Sequence, residues 1–116
     1  MNNRKSIYIS GPITGRHPDD AKKHFNSVHK FLEKDWDVYN PILNPERNTW
    51  GEYMRDALAQ LIKCDYIIML NGSCASKGAS LEYLIAKQIG IEIVYEIDML
   101  PDGGTEVQWT FSNEQG

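Results

Sequence analysis

Apolar positions along the chain follow two alternating rhythms. Ser6-Ile7-Tyr8-Ile9-Ser10 is a short β-branched and aromatic run stopped by Gly11-Pro12, and it predicts a first strand. Pro18 suits a first helical position, and Ala21, Phe25, Val28 and Leu32 then recur at spacings of four, three and four, one face of a helix. Residues 36–39 predict a second short strand, closed by Asn40-Pro41, and residues 41–48 read as a loop. Thr49 and Glu52 have the spacing of a capping box, which opens a second helix with Met54, Leu58, Leu61 and Ile62 inward. Residues 66–70 are apolar throughout, as a strand covered on both faces should be. A third helix is predicted over residues 78–89, with Leu81, Leu84, Ile85 and Ile89 inward and Gly90 as its stop; residues 91–95 predict a fourth strand.

Strands alternating with helices imply a parallel sheet with right-handed crossovers. The expected fold is α/β, a flavodoxin-like or Rossmann-like three-layer sandwich with strand order 2-1-3-4. In such sheets ligands bind beyond the carboxyl ends of the strands, where the winding reverses. That places residues 11–17 and 71–78 face to face. Residues 1–116 read as one domain, with a core over 6–95 and a C-terminal tail over 96–116. In the tail, Val107, Trp109 and Phe111 fall on one face of an alternating run, a possible fifth strand.

The longest apolar run, residues 66–70, is far short of the ~20 residues of a membrane helix. The N-terminus lacks the apolar region of a signal peptide. Cys64 and Cys74 form no disulfide framework and have no zinc-ligand spacing. A cytoplasmic protein without membrane partners is expected. The net charge of −4 argues against coating a nucleic-acid polymer. His17, His24 and His29 are not clustered, so no metal is expected, nor any cofactor.

The two facing loops hold the candidate chemistry. In the first, Ser10, Gly11, Pro12, Thr14, Gly15 and Arg16 combine close backbone approach with donors for an anion; the same residues also suit a plain strand-to-helix turn. The second places Ser76, Lys77, Gly78 and Ser80 at a helix N-terminus, a natural anion site, although it lacks the Walker pattern. Glu82 is expected in the first turn of that helix, on the surface, kept ionised by the helix dipole. It could equally be an ordinary helix-start residue. Trp50 and Tyr53 could stack a base or pack under the 41–48 loop, and Tyr8 could touch Glu82 or belong to the core.

Five motifs occur in order: residues 8–15, Asn40-Pro41, residues 53–56, Cys64-Asp65 and residues 76–82. Together they resemble the nucleoside 2-deoxyribosyltransferase-like superfamily, in particular its small members, often phage or prophage encoded. The resemblance spans residues 6–95. It implies a nucleoside or nucleotide as partner and cleavage or transfer of its N-glycosidic bond by retaining double displacement. Glu82 sits at the position of the family's nucleophile. Asp56 would be the second carboxylate and Asp65, at the far end of the sheet, a structural residue. In the N-glycosidase relatives the aspartate lies one residue nearer the strand, where this chain has Ala57, a turn of about 100° around a helix. A binder of the same fold that does not turn over its ligand is the alternative. The resemblance also implies a homo-oligomer, with the tail near the interface and Asn113 as a donated side chain.

Overall fold

Side chains alternate across β1 (Ser6–Ser10), and from Ile7 to Ser10 both sides of the strand are buried. It therefore has to lie inside the sheet, covered by helices above and below. The structure, a computed structural model, describes residues 4–13 and 16–100. After β1 come α1 (Pro18–Leu32), β2 (Asp37–Tyr39), a 3₁₀ turn (Pro41–Leu43), α2 (Trp50–Leu61), β3 (Tyr66–Met69), a second 3₁₀ turn (Ser73–Ala75), α3 (Lys77–Ile89), β4 (Glu92–Tyr95) and the short α4 (Glu96–Met99). The four strands form one parallel sheet in the order β2-β1-β3-β4. This is the winding that the sequence predicts.

Two apolar clusters make the two layers. Ile7, Ile9, Ile68 and Leu70 pack with Phe25, Val28 and Leu32 of α1. On the other face Tyr8, Ile67 and Met69 pack with Ala57 and Leu61 of α2 and Ala79 and Ala86 of α3. Each large side chain so buried contributes about 1.5–3 kcal/mol. At the amino end of the sheet Asp65 ties β3 to β1: its carboxylate accepts from the Ser6 N–H at 3.2 Å and from the Ser6 hydroxyl at 3.3 Å. Among the described residues no helix is long and apolar enough to cross a membrane.

Three expectations need correction. The buried residues of α3 are Ala79, Glu82 and Ala86, whereas Leu84 and Ile89 are 52% and 55% exposed. The period is right but its phase is rotated, because small alanines let the helix backbone sit close to Tyr8 and Met69. Ile62, expected inward, is the C-cap of α2 and is 57% exposed. The core also runs past Tyr95: Glu96 is buried, and Met99 and Leu100 pack on the α1-side cluster. The possible fifth strand and Asn113 lie outside the described residues.

Candidate functional site

The parallel strands all end on one edge, and the loops that leave β1, β2 and β3 converge there. Gly11 makes that convergence possible. A Cβ at this position would lie 2.9 Å from Leu70 Cδ1, so only glycine lets the chain leaving β1 pass this close to the end of β3. After β2, the Asn40 carboxamide oxygen accepts from the Ile42 N–H at 3.1 Å, and its Nδ2 lies 3.1 Å from both Asn26 Oδ1 and His29 Nδ1. This fixes Pro41 at the rim. The α2 capping box forms as the sequence predicts, with Thr49 Oγ1 accepting from the Glu52 N–H at 3.1 Å, and it sets the direction in which Trp50 and Tyr53 project.

Beneath these loops is a cavity of ≈ 20 Å³ lined by Gly11, Ile13 and Pro41 from the first two loops, Trp50, Tyr53 and Met54 from α2, and Ser76, Gly78, Ala79 and Glu82 from α3. It has room for a single water. A wider recess of ≈ 300 Å³ shares Ile13, Trp50 and Tyr53 with it and opens outward past Glu46 and Arg47. Lys77 Nζ stands 4.1 Å from the Trp50 ring centroid, so a cation–π contact closes one side of the rim.

Glu82 is the polar centre of the cavity. It lies in the second turn of α3, not the first, and it is 5% exposed. Its Oε2 accepts from the Tyr8 hydroxyl at 2.5 Å and its Oε1 from the Ser10 hydroxyl at 2.6 Å. Tyr8 and Ser10 are two apart on β1 and so share the face that α3 covers. Burial pushes the Glu82 carboxyl up to about 7, against the opposing pull of the Ser10 and Tyr8 hydrogen bonds. The expected surface carboxylate, held ionised by the helix dipole, is therefore a buried one whose proton affinity burial dominates. Burial and then the Glu82 charge raise both neighbouring phenols, Tyr53 to about 12 and Tyr8 well above its ordinary value.

Residues 5–95 match the family described as Domain of unknown function (DUF4406). The chain belongs to that family. No curated protein matches the chain. The matched span of this DUF4406 member holds every residue that lines the cavity, and it ends at Tyr95, one residue before Glu96.

The residues named from sequence divide clearly. Tyr8 and Ser10 both donate to Glu82, and Gly11, Trp50, Tyr53, Ser76 and Gly78 line the same cavity as Glu82. The Ser76 hydroxyl caps α3 by accepting from the Ala79 N–H at 3.2 Å. Lys77 reaches the rim only over Trp50, and Ser80 is exposed on the outside of α3. Pro12 lies against Gly72. Asp56 does not reach the cavity: its carboxylate pairs with Arg47 Nη1 at 2.5 Å, half-buried at the surface. Arg16 is turned back on its own loop, donating to the Pro12 carbonyl at 3.2 Å. Thr14 and Gly15 lie outside the described residues. Sequence reasoning missed the apolar lining of Ile13, Pro41 and Met54. Each falls inside a motif of the resemblance, and Ile13 and Pro41 also sit in loops at the carboxyl edge, which is the signal that could have found them.

Proposed function

We propose that the protein cleaves or transfers the N-glycosidic bond of a nucleoside or nucleotide, with Glu82 as nucleophile, as in the nucleoside 2-deoxyribosyltransferase-like superfamily that its motifs resemble. One observation carries the reading: a buried carboxyl stands at the base of a loop-lined cavity, held by two hydroxyls and flanked by two aromatic side chains. A carboxyl buried only for stability would be a poor choice, because desolvation costs it more than an apolar residue.

In the first step a Glu82 carboxylate oxygen bonds to C1′. The C1′–N bond breaks, and its electron pair leaves with the base, which takes a proton from water in the outer recess. In the second step water adds to C1′, the ester bond to Glu82 breaks, and the water's proton returns to solvent. A second base in place of water gives transfer. Covalent catalysis of this kind splits one hard displacement into two easier ones. Tyr8 and Ser10 orient the carboxylate; Trp50 and Tyr53 offer aromatic faces to the base. The substrate has to widen the cavity, and displacing Trp50 from Lys77 would open its rim. A homo-oligomer belongs to the same reading.

The test is chromatography of nucleosides and their 5′-monophosphates after incubation with the protein. Free base should appear with wild type, and Glu82→Gln should lower its rate at least about a thousandfold, the usual scale for loss of a covalent nucleophile. Equal rates would remove Glu82 from the chemistry. A second reading is favoured by the pairing of Asp56 with Arg47, which leaves the expected acid outside the cavity. Under it the protein binds the nucleotide without turnover, and the same incubation yields thermal shifts but no free base.

A further inference from the structure

A chain of polar side chains that the proposed chemistry does not use runs behind the β1–α1 loop. Glu96, at the start of α4, is 5% exposed. It accepts from the Asn71 backbone N–H at 2.8 Å and lies 3.0 Å from His24 Nε2 on α1. His24 Nδ1 lies 3.2 Å from Arg16 Nη1, which also donates to the Pro12 carbonyl at 3.2 Å. Arg16 Nη2 donates to the Asp20 carbonyl at 3.4 Å. A guanidinium only donates, so His24 Nδ1 has to be the bare nitrogen, and Nε2 carries the hydrogen that Glu96 receives. The tautomer is thereby set from both sides.

The two ends of this relay lie in the two loops that face each other across the site. Pro12 stands between Gly11 and Ile13, both of which wall the Glu82 cavity, and Asn71 opens the loop that leads to Ser76. The side chain expected to meet the substrate's anion is occupied in holding its own loop.

We propose that His24 and Glu96 are positioning residues that tie the two loops together, the first through Arg16 and the second through the Asn71 N–H, and that Arg16 serves the site as this clip and not as a ligand for the substrate's anion. The binding part of the test rests on the nucleoside reading above; the exchange part does not. The variants are Arg16→Ala, His24→Ala, the double variant, and His24→Gln, whose carboxamide can both accept and donate. Calorimetry with the common 2′-deoxynucleosides and their 5′-monophosphates, at two salt concentrations, gives affinities. Amide exchange of the Arg16 N–H, which donates to the Ile13 carbonyl at 3.2 Å, reads the loop without any ligand.

Arg16→Ala and His24→Ala should each weaken nucleoside and monophosphate by the same factor, about tenfold, the scale of one lost hydrogen bond to a charged group. The double variant should be no worse than either single one, His24→Gln should recover part of the loss, and Arg16 amide exchange should quicken in His24→Ala. A loss in Arg16→Ala confined to the monophosphate and steepened by salt would make Arg16 an anion ligand and overturn the proposal. Additive losses would overturn the coupling. If wild type binds none of the probes, the nucleoside reading fails, and the relay is then decided by exchange alone: unchanged Arg16 exchange in His24→Ala overturns it.

Discussion

Two opposed forces set the proton affinity of Glu82, and burial wins. The folded protein holds this proton up to about pH 7, whereas an unfolded chain releases it near 4.5. Stability therefore falls as pH rises from about 4.5 to 7, and above pH 7 the full penalty is present, on the order of 3 kcal/mol at about 1.4 kcal/mol per pH unit. Glu82→Gln removes the ionisation and keeps the shape, since the Tyr8 and Ser10 hydroxyls can accept as well as donate. The variant should melt at least about 5 °C above wild type at pH 8, with the gap closing toward pH 5. Calorimetric scans across that range check it; a gap that does not change with pH would mean that Glu82 does not titrate as described. The same carboxyl sets the expected rate profile. Only the ionised form can attack C1′, so kcat/KM should rise with pH through about 7. A profile flat from pH 5.5 to 8 would contradict the nucleophile assignment.

At the scale of elements, periodicity was more informative than size. The three-and-four spacing of α1 picked out Ala21, Phe25, Val28 and Leu32, and all four are buried. In α3 the same rule applied to the largest residues chose the wrong phase, because Ala79 and Ala86 carry little apolar weight and Glu82 carries none. A buried carboxyl hides from any reading that scores apolar content. The capping box and the carboxyl-edge loops were legible because a cap and a strand end are local. The pairing of Asp56 with Arg47 and the relay through Glu96 were not, since the first depends on how the 41–48 loop folds back on α2 and the second joins residues 72 apart. The rotated phase is testable. Leu84→Gln should change stability by less than about 0.5 kcal/mol, as for other surface substitutions. Ala86→Leu should cost about 1–3 kcal/mol by overpacking against the sheet. Denaturant melts read both, and the reverse order would return Leu84 to the core.

At the scale of the whole molecule, the packed core extends past Tyr95 at least through Leu100, and two truncations separate the consequences. A chain ending at Leu100 keeps Glu96 on Asn71 and His24, and it keeps Met99 and Leu100 on the cluster under α1. It should unfold as one cooperative unit. Ending the chain at Tyr95 removes a buried carboxylate that accepts a backbone N–H, and it uncovers apolar surface on the α1 side. One lost partner of a buried hydrogen bond costs about 1–3 kcal/mol, and the half-buried Met99 and Leu100 each contribute less than the ~1.5–3 kcal/mol of a fully buried side chain. The combined loss is a large part of the lower end of a small domain's stability, about 5–15 kcal/mol. The shorter chain should therefore melt well below the longer one. Equal stability of the two would show that α4 contributes nothing to the fold. Light scattering on the Leu100 truncation and the full chain also tests the proposed assembly. The full chain should scatter as an oligomer and the truncated chain as a smaller species if residues 101–116 take part in the contact. A full-length monomer of 13.3 kDa at tens of micromolar would rule out self-association, leaving Glu82 and its loops to act within one chain.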